Sequence, residues 1–209
     1  MATTVSEDSL QAQVYAAYSL AATSQLKAEF NLVTEQQQVE GFAPQRQQQF
    51  LAGRALLRWL CCQQLQVAPE QVEIVRQANG APQLTVAGQH YSCSISHKDQ
   101  AILVAIAAEG ALGLDIEKIQ LRKRQAQLIA QFADGFMHGI QPDDLAGFYQ
   151  RWTLAEAVTK AEQGKLLATL HRQHSAYVAK SHHIVVAEWL MCVYHSLGWP
   201  VTFDALANE

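Results

Sequence analysis

The sequence predicts an α+β fold of two similar, pseudo-symmetric lobes, each a small, mainly antiparallel sheet packed against helices. Three observations lead there. Strand-like and helical runs are mixed in both halves of the chain. Their order gives strands joined by turns rather than regular strand–helix–strand repeats. The 209 residues, 49% of them hydrophobic, suffice for one large domain or two small ones. The boundary falls near 105–112, which divides the chain into lobes 1–108 and 109–209.

In chain order, "VYAAYSL" (14–20) reads as a first strand. "TEQQQVEGFAPQRQQQF" (34–50) is glutamine-rich with Gly41 and Pro44 as breakers, and is expected to be a loop leading into a helix. "FLAGRALLRWLCCQQL" (50–65) has Phe50, Leu57, Leu60 and Cys61 at helical spacing, with Arg54 and Arg58 on one face. "VEIVR" (72–76), "PQLTVAG" (82–88) and "YSCSIS" (91–96) are β-like, with "ANGAP" as a turn. "AILVAIAA" (101–108) is continuous and apolar, as a buried strand requires, and a further strand carries Asp115 and Glu117. "RKRQAQLIAQF" (122–132) reads as a helix, and a second clear helix starts near Trp152. The tail segments 174–180, 182–195 and 200–206 are strand-like.

A formal charge of −4, from 15 Lys+Arg against 19 Asp+Glu, argues against a general nucleic-acid surface. Cys61, Cys62, Cys93 and Cys192 form no C-x-x-C pair and point to no disulfide framework. "MATTVSEDSL" has neither a basic n-region nor an apolar h-region, and no apolar run approaches membrane-span length. The expectation is a soluble, cytoplasmic protein with no membrane or nucleic-acid partner.

Three stretches carry chemistry. In "GALGLDIEKI" (110–119), Asp115 and Glu117 leave one face of a strand, their Cα atoms about 6.6 Å apart. Adjacent carboxylates repel unless a cation lies between them, and hard oxygens suit Mg²⁺. An exposed strand face, or a salt bridge to Lys118 or Arg122, produces the same pattern. In "FYQRWTLAEAVTKAEQG" (148–164), Glu156 and Lys160 project from one helix face, where they can serve a metal and a phosphate. The same residues also fit a capping box from Thr153 to Glu156, or an ordinary surface pair of about 0.2–0.5 kcal/mol. In "SCSISHKDQ" (92–100), His97 beside Lys98 either caps a strand end or helps to hold a phosphate. A Ser–His nucleophile is disfavoured, because adjacent strand residues face opposite ways.

Taken in order, "AGRALLR" (52–58), "NGAP" (79–82), "SISH" (94–97), "GLDIE" (113–117) and "RWTLAEAVTKAE" (151–162) resemble the 4′-phosphopantetheinyl transferases of the surfactin-synthetase type. The resemblance runs from about residue 46 to residue 166. It implies two α+β lobes with coenzyme A in the cleft between them. It also implies transfer of the phosphopantetheine arm to a serine of an apo acyl or peptidyl carrier protein, releasing adenosine 3′,5′-bisphosphate. By position, Asp115, Glu117 and Glu156 would hold Mg²⁺, with Glu156 also a candidate base for the serine. Lys160 would lie on the phosphates, and Arg46, Arg54 and His97 would contact the coenzyme A phosphates. With both lobes in one chain, a monomer is expected.

The sequence departs from the family pattern at several positions. Ala155 stands where members usually have lysine before the helix glutamate, and Ala81 replaces another lysine in "GAP". "SHK" replaces the usual Ser-His-Ser, and after "QFADGF" the nearest acid is Asp134 rather than a glutamate. Two alternatives therefore stand beside the transferase: a Mg²⁺-dependent nucleotide or pyrophosphate hydrolase, and a non-catalytic module that binds coenzyme A or a carrier. "LRKRQ" (121–125) is the candidate docking face for an acidic carrier, with a solvated helix surface as its alternative.

Overall fold

A computed structural model describes residues 12–21 and 30–206. They form a mixed α+β fold with sheets packed against helices. The backbone contacts divide it into two units. One takes the chain up to Glu109 and again from Pro200, and the other is Gly110–Trp199.

The first unit holds a six-stranded sheet built from β1 (Val14–Ser19), β2 (Val72–Arg76), β3 (Pro82–Val86), β4 (Gln89–Lys98), β5 (Ala101–Ala107) and β9 (Val201–Ala205). Their order is β2-β3-β4-β5-β1-β9. Pairing is antiparallel throughout except at β1–β9, where Val14 lies opposite Val201 in parallel. The last strand thus belongs to the first unit. All seven residues of β5 are buried, which explains its unbroken apolar run.

Two helices precede β2 in this unit: α1 (Val33–Gln38) and α2 (Pro44–Leu65). Pro44 opens α2, where its missing N–H costs nothing, and Gln66 in the left-handed region closes it. The helix buries Leu56, Leu57, Leu60 and Cys61 in a core shared with Val104 and Ile106 of β5. The loop expected over 34–50 is instead α1, a break at Gly41 (φ +85°), and the first turns of α2. A tertiary contact decides it. Glu35 of α1 is buried and accepts two hydrogen bonds from the buried Arg58 guanidinium of α2, at 2.9 and 2.7 Å. Arg58 also donates to the Phe30 carbonyl at 2.7 Å. Sequence pattern alone does not show that a glutamine-rich turn has a buried ionic partner.

The second unit has a three-stranded antiparallel sheet of β6 (Leu112–Lys118), β7 (Ser181–Val186) and β8 (Trp189–His195), in the order β6-β8-β7. Four helices complete it: α3 (Gln125–Gln131), α4 (Leu145–Ala161), α5 (Leu166–Leu170) and α6 (Ser175–Val178). Phe148, Ala155 and Val158 of α4 pack with Leu190, Cys192 and Tyr194 of β8. Two sequence expectations are corrected here. Segment 174–180 contains a helical turn, not a strand, because Tyr177 anchors it by stacking on Phe136 (ring centroids 5.7 Å apart). The helix bearing Glu156 begins at Leu145 rather than near Trp152. Asp144 caps it, accepting from the Gly147 amide at 2.8 Å, which places Gly147 in the first turn of the helix.

α4 lies unusually close to β6, and Gly113 permits it. A Cβ on Gly113 would overlap the Ala157 carbonyl and the Ala161 amide. Because backbone is the obstacle, side-chain rotation gives no relief. We expect Gly113→Ala to destabilise the fold by about 1–3 kcal/mol, seen as a lower urea midpoint at unchanged m-value. A midpoint equal to that of the wild type would show that α4 can retreat without cost.

Candidate active site

The chemistry-bearing strand is β6. Residues 113, 115 and 117 share one face, and Gly113 turns that face to α4. Asp115 and Glu117 are buried, 6% and 9% exposed, on a strand whose opposite-face residues Leu114 and Ile116 are buried as well. These carboxylates are therefore held under a helix, not displayed on an open strand.

α4 supplies the groups that meet them. The Lys160 ammonium donates to Asp115 Oδ1 at 2.7 Å and to the Leu114 carbonyl at 3.0 Å. The salt bridge open in the sequence reading is thus made by Lys160, while Lys118 pairs with Glu188 at 3.2 Å. Glu156 sits one turn before Lys160, deep inside the helix, so it is no capping residue. The Thr153 hydroxyl likewise caps nothing and donates to the Tyr149 carbonyl at 2.9 Å. Burial first, then the Asp115 charge, holds Glu156 above its ordinary carboxylate range; Glu117 adds to this, whereas Lys160 and Arg122 oppose it. The three carboxylates form one electrostatic group with two cations beside it.

Among the described residues, no three His, Cys, Asp or Glu side chains are gathered tightly enough to cage a metal by themselves. Mg²⁺ usually takes one or two carboxylates and completes its shell with water and substrate phosphate. The donors are hard oxygens, and Glu156 bears the energetic mark of carboxylates crowded together. The residues present fit such an ion.

The first unit carries a separate pocket of about 220 Å³ lined by Arg46, Arg54, Arg76 and His97, together with Phe42 and Phe50. Its arginines are pre-shaped by aromatic rings. Arg46 lies over Phe42 at 4.5 Å and Arg54 over Phe50 at 4.2 Å. Arg54 is 3% exposed and donates to the Ile74 carbonyl at 3.2 Å. The three residues that the sequence reading joined as phosphate contacts line one cavity. Arg76 was missed. It ends β2 opposite Pro82, across the "ANGAP" turn, and that hairpin register was the available signal. Ala81 and Ala155 add no charge to either cluster; Ala155 is fully buried in the second core.

Because Glu156 binds its proton more tightly folded than unfolded, it makes stability fall as pH rises from 4.5 through its elevated folded value. With Mg²⁺ removed by EDTA, Glu156→Gln should raise the melting temperature at pH 7 by a few degrees, and the gain should shrink as pH falls towards 4.5. A variant that melts lower than wild type at pH 7 would contradict this account of the carboxylate group.

Comparison with known proteins bears on what these clusters serve. Residues 34–107 match the 4′-phosphopantetheinyl transferase N-terminal domain. A provisionally named 4′-phosphopantetheinyl transferase of Synechocystis sp. is 30% identical over 125 residues, 56% of this chain and 50% of that relative. A phosphopantetheinyl transferase of Thraustochytrium sp. is 26% identical over 129 residues, 53% of this chain and 44% of that relative. The chain spans about half the length of these curated relatives. The matched domain covers α1, α2 and β2–β5, and both relatives bear the same name, so over these stretches the chain is similar to the 4′-phosphopantetheinyl transferases.

Proposed function

We propose that the protein is a Mg²⁺-dependent 4′-phosphopantetheinyl transferase of the surfactin-synthetase type, acting on coenzyme A and an apo carrier protein. The observation that carries this reading is the group on β6 and α4, where Lys160 lies 2.7 Å from Asp115 and Glu156 responds to both Asp115 and Glu117. The arginine-lined pocket of the first unit supports it by itself, with Arg46, Arg54 and His97 assigned to coenzyme A phosphates.

The carrier serine Oγ attacks the phosphorus that bears the pantetheine arm. The bond from that phosphorus to the bridging oxygen breaks, and adenosine 3′,5′-bisphosphate departs. Glu156, held high in its proton affinity, accepts the serine proton. Lys160 moves its ammonium from Asp115 to a phosphate oxygen, where it offsets charge building on the leaving group. Asp115, Glu117 and Glu156 would hold Mg²⁺, which would supply further charge neutralisation at the pyrophosphate. The protein's part is chiefly positioning and electrostatics.

Intact-mass spectrometry of an apo carrier incubated with the protein, coenzyme A and Mg²⁺ should show one phosphopantetheine added, and EDTA should abolish the gain. Glu117→Gln should lower transfer by roughly a hundredfold or more while the melting temperature barely moves. Coenzyme A consumed with no gain on the carrier would point to a hydrolase, and coenzyme A bound but unchanged to a binding module.

For the carrier, Lys123 and Arg124 are exposed ahead of α3 and beside Leu121, which is 87% exposed. They offer a cationic and apolar face to an acidic partner. Reversing the charge at Arg124 should raise the carrier KM several-fold, more so at low salt, and leave coenzyme A affinity unchanged. Carrier kinetics indifferent to that reversal would remove this face from the docking surface.

A further inference from the structure

The run "LRKRQ" does not act as one surface. Lys123 and Arg124 are exposed, but Arg122 folds back, half-buried, with its guanidinium 4.5 Å from the centre of the Trp152 ring. Trp152 is 9% exposed and is itself backed by Phe148, stacked at 5.9 Å. Arg122 thus rests on a packed aromatic platform and is fixed in place.

Two donors in this stack lack acceptors. Arg122 Nη1 and Trp152 Nε1 are both buried, and neither makes a hydrogen bond among the described residues. A buried donor left unpaired costs about 1–3 kcal/mol, and charged donors cost more. Two of them on stacked side chains call for an acceptor-rich anion. The location narrows its identity. Trp152 precedes Glu156 by one helical turn on α4, so the stack borders the carboxylate group, and Arg122 lies close enough to act on the Glu156 charge.

We propose that Arg122, clamped on Trp152, is a substrate-binding residue that holds a phosphate oxygen of coenzyme A, with Trp152 Nε1 as the second donor. This rests on the transferase reading above. The planar guanidinium suits a phosphate, which offers several lone pairs to a fork of N–H groups. A carboxylate of the carrier is the competing acceptor. The burial of Nη1 beside the carboxylate group favours the substrate that must reach that group. The arrangement also restores a cation at the site in a chain whose position 155 holds a buried alanine.

The test uses the full chain with Mg²⁺ and coenzyme A, measuring affinity by titration calorimetry and kinetics against an apo carrier. Arg122→Gln should weaken coenzyme A binding roughly 10- to 100-fold and leave the carrier KM within about twofold. Arg122→Lys should recover part of the loss, since it keeps the charge without the flat stack. Trp152→Phe, which keeps the ring and removes the donor, should cost a smaller factor. These two variants still decide the matter if Arg122→Gln fails to fold. If the wild type transfers and Arg122→Gln binds coenzyme A normally, the inference falls and the transferase reading stands. A raised carrier KM with unchanged coenzyme A affinity overturns it likewise, in favour of carrier docking. If the wild type binds but does not transfer, the reading falls while the affinity loss in Arg122→Gln still supports the contact. A wild type that binds no coenzyme A overturns both.

Discussion

The second unit depends on one missing atom. Without a Cβ at Gly113, the backbone of α4 rests directly on β6 at Ala157 and Ala161. This contact sets how far Glu156 and Lys160 stand from Asp115 and Glu117. At the 8–10 Å usual when side chains separate packed elements, the Lys160 ammonium would not be assured its 2.7 Å approach to Asp115. The glycine before the D-x-E pattern is thus part of the site, although it carries no chemistry. The aromatic packing of Phe148 and Trp152 and the cap at Asp144 then fix the helix register along that contact.

The closeness has an electrostatic consequence. Burial first, and then the charges of Asp115 and Glu117, raise the proton affinity of Glu156. A fold selected only for stability would place apolar residues there, as it does with Leu114 and Ile116 on the other side of the same strand. The contrast with Glu35 and Arg58 is instructive. That pair is also buried, but each carboxylate oxygen meets its own guanidinium nitrogen, and the charges cancel within the fold. On β6 and α4, Asp115 meets the Lys160 ammonium while burial and its acidic neighbours hold Glu156 above its ordinary carboxylate range.

The sequence and the structure agree where a residue's placement follows from local period. Asp115 and Glu117 on one strand face, Glu156 and Lys160 on one helix face, and the antiparallel strand order are all consequences of backbone repeat. Glu35 was not legible, because its partner lies 23 residues away and nothing local marks a buried ion pair. Arg76 required the register of a hairpin, and Arg122 required knowing that a coil residue folds onto an aromatic ring 30 residues further along the chain. Thr153 misled for the opposite reason: a capping pattern was present, but Asp144 starts the helix earlier and leaves Thr153 bonded inside it.

The cations sort themselves by what lies beneath them. Arg46, Arg54 and Arg122 each rest on an aromatic ring, at 4.5, 4.2 and 4.5 Å. A guanidinium held flat has already given up much of its rotamer freedom, so binding an anion through its remaining in-plane N–H groups costs less ordering. Lysines at positions 81 or 155 would bring charge on a flexible stem. A chain with alanine at both positions gathers its positive charge from stacked arginines instead, and presents fewer but better-oriented donors. A tetrahedral phosphate, two of whose oxygens can pair with one guanidinium fork, is an anion suited to such donors.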